Sequence, residues 1–218
     1  MIAANLPVLQ VVVPLVAAPL CVLLRHPGLV WVFATLTCWA SFAISIALLV
    51  QVGAGGAISY ELGGWAVPWG IEYRVDTVNV FVLLIVSGIA ALVMPYARAS
   101  VDAEVPREKH ALFYTMMLLA VTGLLGITIT GDAFNVFVFL EISSLSSYAL
   151  ISMGRDRRAL TAAYQYLIMG TIGATFILIG VGFLYMVTGT LNMLDIAERI
   201  SDQHESGTVQ AAFAFLTV

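Results

Sequence analysis

One carboxylate in this sequence stands where bulk water does not reach. Glu141 falls near the middle of the apolar run from Ala133 to Met153, and an acidic residue at a bilayer centre costs about 2.5–3.5 kcal/mol on insertion scales. At 100° per residue, Glu141, Ser144, Tyr148 and Ser152 share one helix face, forming a polar stripe that runs from mid-membrane toward one end of the span. The chemistry such a stripe offers is proton transfer: a carboxylate that gains and loses a proton, with hydroxyls and trapped waters leading away from it. A cation brought close and withdrawn would switch its charge. The bland use of the same group is a static pair that locks two helices.

Other chemistry-bearing residues form no comparable pattern. His26, His110 and His204 flank apolar runs without metal-ligand spacing and are read as interfacial or solvated. Cys21 and Cys38 lie inside the first two runs, with no CxxC pair and no nearby histidine, and are read as packing residues. No phosphate-binding glycine loop, nucleophile elbow or haem motif is present. The sequence therefore points to no cofactor, no metal, no enzyme active site and no nucleic-acid partner.

The elements that must position Glu141 are membrane helices. Of 218 residues 61% are hydrophobic and 10% charged, with a mean hydropathy of +1.00, whereas soluble domains carry about 25% charged residues. The chain reads as an all-α polytopic transmembrane bundle forming a single membrane domain over 1–218. Spans fall near 6–24, 30–52, 77–94, 111–130, 133–153 and 162–187, with the beginning of a seventh from 209. Pro95 is expected to stop the third span. Between the second and third lies a loop, 53–76, rich in glycine, whose Tyr60, Trp65, Trp69 and Tyr73 suit a short hairpin against lipid headgroups.

Smaller signals refine the elements. Gly131 suits a helix C-cap and Asp132 an N-cap for the fifth span. Gly170, Gly173, Gly180 and Gly182 leave the sixth span open to close approach by neighbours, and Gln165 reads as an interhelical hydrogen-bonder. Residues 191–207 suggest a surface helix and loop. The run from Val209 to Val218 is too short to cross a membrane needing about 20 helical residues, so the chain reads as a fragment or as ending in a partial helix.

Charge sidedness sets the orientation. With the N-terminus outside, Arg25, Arg98, Arg107, Lys109, Arg155, Arg157 and Arg158 face the cytoplasm and only Arg74 and Arg199 face outward, a clear positive-inside bias. The polar stripe then descends from Glu141 to the basic loop at 155–158.

The stretch GDAFNVFVFLEISSLSSY, from Gly131 to Tyr148, resembles the fifth helix of antiporter-like membrane subunits. That family comprises the D subunits of Mrp-type multisubunit cation/proton antiporters and the proton-pumping subunits of complex I and membrane hydrogenases. YELGGWAVPWGIEYRVD, Tyr60 to Asp76, and YMVTGTLNMLDIAERI, Tyr185 to Ile200, agree with it in the same order. The resemblance implies about fourteen helices in two inverted repeats, with Glu141 matching a fifth-helix glutamate that pairs with a lysine on the seventh helix. That lysine and the second repeat would lie beyond Val218. Many relatives also carry a lysine near the position of Gln165; this chain has none there, so only Glu141 is carried over.

The resemblance implies the N-terminal portion of a proton-conducting subunit of a sodium/proton antiporter, a secondary ion transporter rather than an enzyme. Its setting would be a cell's inner, cytoplasmic membrane, with protons, sodium and other membrane subunits as partners. Two alternatives stay open: a proton-pumping subunit of a complex I or hydrogenase-like redox complex, and a short non-conducting scaffold subunit.

Overall fold

The computed structural model describes residues 3–24, 26–201 and 206–217. Arg25, Asp202, His204 and Glu205, which bear on the sequence reading, lie outside the described residues. In chain order the elements are α1 (Leu6–Leu23), α2 (Pro27–Gly55), β1 (Ile58–Glu61), β2 (Glu72–Val75), α3 (Thr77–Glu104), α4 (His110–Ile129), α5 (Ala133–Ser152), α6 (Arg157–Thr188), α7 (Met193–Ile200) and α8 (Gly207–Thr217). Six of these helices are long and apolar enough to cross a membrane. The protein is an all-α polytopic bundle.

α4 is the centre of the bundle. It is apolar all round, which suits a helix enclosed by others, and 56% of its apolar window is buried, against 17% for α5 and 22% for α6. Leu118, Leu125 and Ile129 are fully enclosed between α1, α3 and α5. Where α4 meets α5, Gly123 and Gly126 take the place of side chains: Gly123 lies against Ser143 and the Phe139 carbonyl, and Gly126 against the Phe139 ring. Small residues at such a crossing let two backbones approach without a hydrophobic driving force.

The third span outruns its expected end. Pro95 lies inside α3, which continues to Glu104. A membrane helix loses only one backbone bond at a proline, and its neighbours hold the course: Trp31 Nε1 on α2 donates to the Met94 carbonyl at 3.0 Å. At 28 residues α3 is about 42 Å long against a core of about 30 Å, so its last charged turns project beyond the apolar layer. Arg155 N donates to the Glu104 carbonyl at 3.3 Å, joining the two charged loops on this face.

His110 departs from the solvated role expected of it. It is 2% exposed, its Nε2 lies 3.1 Å from the Val105 carbonyl and its Nδ1 3.6 Å from Asp102. The bend between α3 and α4 folds over the ring, which a span-flanking position in the sequence does not reveal. Cys21 and Cys38 are buried packing residues, as expected.

On the opposite face, β1 and β2 form an antiparallel hairpin with Ile58 opposite Val75 and Glu61 opposite Glu72. Trp65 and Trp69 at its tip are 71% and 88% exposed, whereas Tyr73 is buried. Tyr60 Oη donates to Asn5 Oδ1 at 3.0 Å, which fixes the start of α1 on the same face.

Candidate functional site

α5 carries the candidate site and is placed by both its ends. Asp132 caps it as expected, its carboxylate accepting from Asn135 N at 2.7 Å. Burial of Asp132 pushes its carboxyl above the usual carboxylate range, against the pull of the Asn135 and Phe134 N–H donors. Gly131 is not the left-handed cap expected of it. It stands among residues of extended backbone, its N–H donating to the Glu72 carbonyl at 2.8 Å and its carbonyl accepting from Met193 N at 2.9 Å. α4 ends instead at Thr130, which is extended and bridges Tyr73 of the hairpin.

α5 runs unbroken from Ala133 to Ser152, so Glu141, Ser144, Tyr148 and Ser152 keep the common face that their spacing gives. That face turns toward α6. The Tyr148 hydroxyl lies against Gly170, in the space a Cβ would fill, and its ring meets Tyr166 edge-on at 4.8 Å between centroids. Glu141 and Ser144 are half-buried. Ser152 Oγ donates to the Ala149 carbonyl of its own helix at 2.7 Å.

The neighbouring hydroxyls of α5 are engaged in the same way. Ser143, Ser146 and Ser147 donate to the carbonyls of Leu140, Ile142 and Ser143 at 2.9, 2.6 and 2.8 Å. Glu141 has no such partner: among the described residues nothing pairs with its carboxylate by hydrogen bond or ion pair. Only 17% of the apolar stretch of α5 is buried, and Glu141 itself is half-buried. A carboxylate at that depth demands a cation, a donor or water.

The expectations for α6 hold in part. Gly170 admits Tyr148, and Gly180 admits Leu216 and the Ala212 carbonyl of α8, but an added Cβ at Gly173 or Gly182 would meet nothing within 4 Å. Gln165, expected to bond between helices, is exposed; the face of α6 on which it lies has no neighbour among the described residues.

Sequence reading missed Glu72. Assigned to a loop, it is 4% exposed and lies where three segments meet. Its carboxylate accepts from Ser59 Oγ at 2.5 Å and from Asn192 Nδ2 at 2.8 Å. Asn192 in turn caps α7, accepting from Leu194 N and Asp195 N at 3.1 and 3.2 Å. Gly189, at φ 69°, turns the chain in the left-handed region between α6 and this cap. Burial also pushes the neighbouring Tyr73 phenol up to about 12. No local signal marks Glu72, because its partner is 120 residues away.

Six spans, a fifth one bearing a carboxylate without a partner among the described residues, and a hairpin keyed to the turn after the sixth are the features that the comparisons match to antiporter-like membrane subunits. Residues 130–218 match the family described as NADH:quinone oxidoreductase/Mrp antiporter, TM. It is 45% identical over 222 residues to the NADH-quinone oxidoreductase N subunit of Desulforudis audaxviator, covering 98% of this chain and 43% of that protein. It is 32% identical over 206 residues to the Na(+)/H(+) antiporter D subunit of Bacillus subtilis, covering 94% of this chain and 41% of that protein. Among solved structures, a chain of the membrane-bound sulfane sulfur reductase, an archaeal respiratory membrane complex, superposes with a TM-score of 0.89. That match has 29% identity and covers 97% of this chain and 43% of the other. The chain thus spans less than half the length of the relatives it matches.

Proposed function

We propose that this chain supplies the Glu141-bearing half of a proton-conducting subunit in a multisubunit monovalent cation/proton antiporter of a bacterial cytoplasmic membrane. The observation that carries the proposal is the Glu141 carboxylate, mid-span and without a partner among the described residues, on a face lined by Ser144, Tyr148 and Ser152. Its charge would be set by a cationic side chain supplied from outside these residues, and movement of that cation would couple proton uptake to ion exchange. The hydroxyls would order water along the stripe toward the basic loop at 155–158. The test is sodium-driven proton flux in membrane vesicles carrying the full complex. Glu141→Gln, which keeps shape and removes the charge, should abolish coupled flux while the complex still assembles; undiminished flux would end the coupling role.

A second reading draws support from the 45% identity to an NADH-quinone oxidoreductase N subunit, higher than the 32% to an antiporter D subunit. In it the same carboxylate belongs to a pump driven by electron transfer. The two readings part at purification: iron–sulfur or flavin subunits copurifying with the chain would select the redox pump, and their absence from an intact, active complex would select the antiporter.

A further inference from the structure

Away from the Glu141 face, a second polar cluster lies inside the bundle where α1, α2 and α3 meet. Gln10, Ser45 and Ser87 are each fully buried. Gln10 Nε2 donates to Ser45 Oγ at 2.8 Å, and Ser87 Oγ lies 2.9 Å from Ser45 Oγ. The two hydroxyl protons have acceptors on their own helices: Leu83 O at 2.6 Å from Ser87 Oγ and Ser41 O at 3.1 Å from Ser45 Oγ. Gln10 Oε1 is left without a donor among the described residues, although it is enclosed.

We propose that this three-helix joint binds a water molecule on the Gln10 amide. A buried carbonyl without a donor costs about 1–3 kcal/mol, and a water donating to it would find polar partners on more than one side in the Gln10 amide and the serine hydroxyls. The water donates one proton to Gln10 Oε1, and the Ser45–Ser87 hydroxyl pair supplies its further partners. It completes the tie between α1 and the α2–α3 pair, in a part of the bundle with no role in the transport reading above. The proposal therefore stands or falls independently of that reading.

The experiment is a cryo-EM map of the complete complex at a resolution where ordered waters appear in the transmembrane region. The expected result is a water peak about 2.6–3.2 Å from the Gln10 amide, lost in Gln10→Leu while Ser45 and Ser87 keep their mutual contact. Ordered waters elsewhere in the membrane region with none at Gln10, or a side-chain donor from another segment occupying that position, would overturn the proposal. If Gln10→Leu does not assemble, the wild-type map decides alone.

Discussion

Glu72 Oε2 accepts a hydrogen bond of 2.8 Å from Asn192 Nδ2, tying the hairpin to the turn that follows the sixth span. Ser59 Oγ holds the other carboxylate oxygen at 2.5 Å, so one buried side chain joins β1, β2 and the cap of α7. Glu72→Ala strands both donors. The expected loss is about 2–3 kcal/mol, read as a lower melting temperature of the purified complex. Asn192→Asp preserves a capping residue but sets two carboxylates face to face, and should destabilise by a similar amount. Melting unchanged in both variants would remove this contact from the account of how the face is held.

The α4–α5 crossing makes a second, steric prediction. A Cβ at Gly123 would lie 2.6 Å from the Phe139 carbonyl oxygen and from Ser143 Cβ, and backbone atoms cannot swing away as a long side chain can. Gly123→Ala should therefore push α5 off α4 and cost about 1–3 kcal/mol, outweighing the gain of up to about 1 kcal/mol in helix propensity. The control is Gly53→Ala on α2, where an added Cβ meets nothing within 4 Å and stability should hold or rise. Equal melting temperatures for the two variants would contradict the packing described.

Asp132 gives a pH-dependent expectation. Burial holds its folded carboxyl above the ordinary range, so the folded state binds the proton more tightly than the unfolded state does. The associated stability is fully present below the unfolded pKa and is lost as pH rises through the folded one. Asn at this position keeps the N-cap without the buried charge. Asp132→Asn should thus match or exceed the native protein in melting temperature at neutral pH, with the difference shrinking on acidification. Asp132→Ala, which loses the bond to Asn135 N, should lie about 1 kcal/mol below Asp132→Asn at every pH.

How far the sequence carried depended on the range of the interaction involved. The spans, the Asp132 cap and the common face of Glu141, Ser144, Tyr148 and Ser152 follow from hydropathy and helical period, which are local quantities. Pro95, Gly131, His110 and Glu72 were misread or missed because their surroundings come from distant segments: Trp31 braces α3 beside Pro95, the Glu72 and Met193 backbones hold Gly131, the α3–α4 bend covers His110, and Asn192 covers Glu72. The Gln10 cluster escaped for another reason. A search for formal charge passes over an amide, yet in a bundle interior an amide without a donor is as informative as a buried acid.

The two faces of the bundle differ enough in charge to fix a topological expectation. Among the described residues, Arg98, Arg107, Lys109, Arg155, Arg157 and Arg158 sit at the end where α3 meets α4 and α5 meets α6, whereas the hairpin face carries Arg74 and Arg199. Arg199 is in addition tied down, its guanidinium bonding Asp195 at 2.8 Å and the Thr188 carbonyl at 2.7 Å. The positive-inside rule then sets the hairpin outside and the basic loops in the cytoplasm. Single cysteines can test this with little background, because Cys21 and Cys38 are buried. In intact cells an impermeant maleimide should label Trp69→Cys at the exposed hairpin tip and leave Arg107→Cys unlabelled until the membrane is permeabilised. The reverse pattern would invert the bundle and send the stripe that begins at Glu141 toward the outer surface.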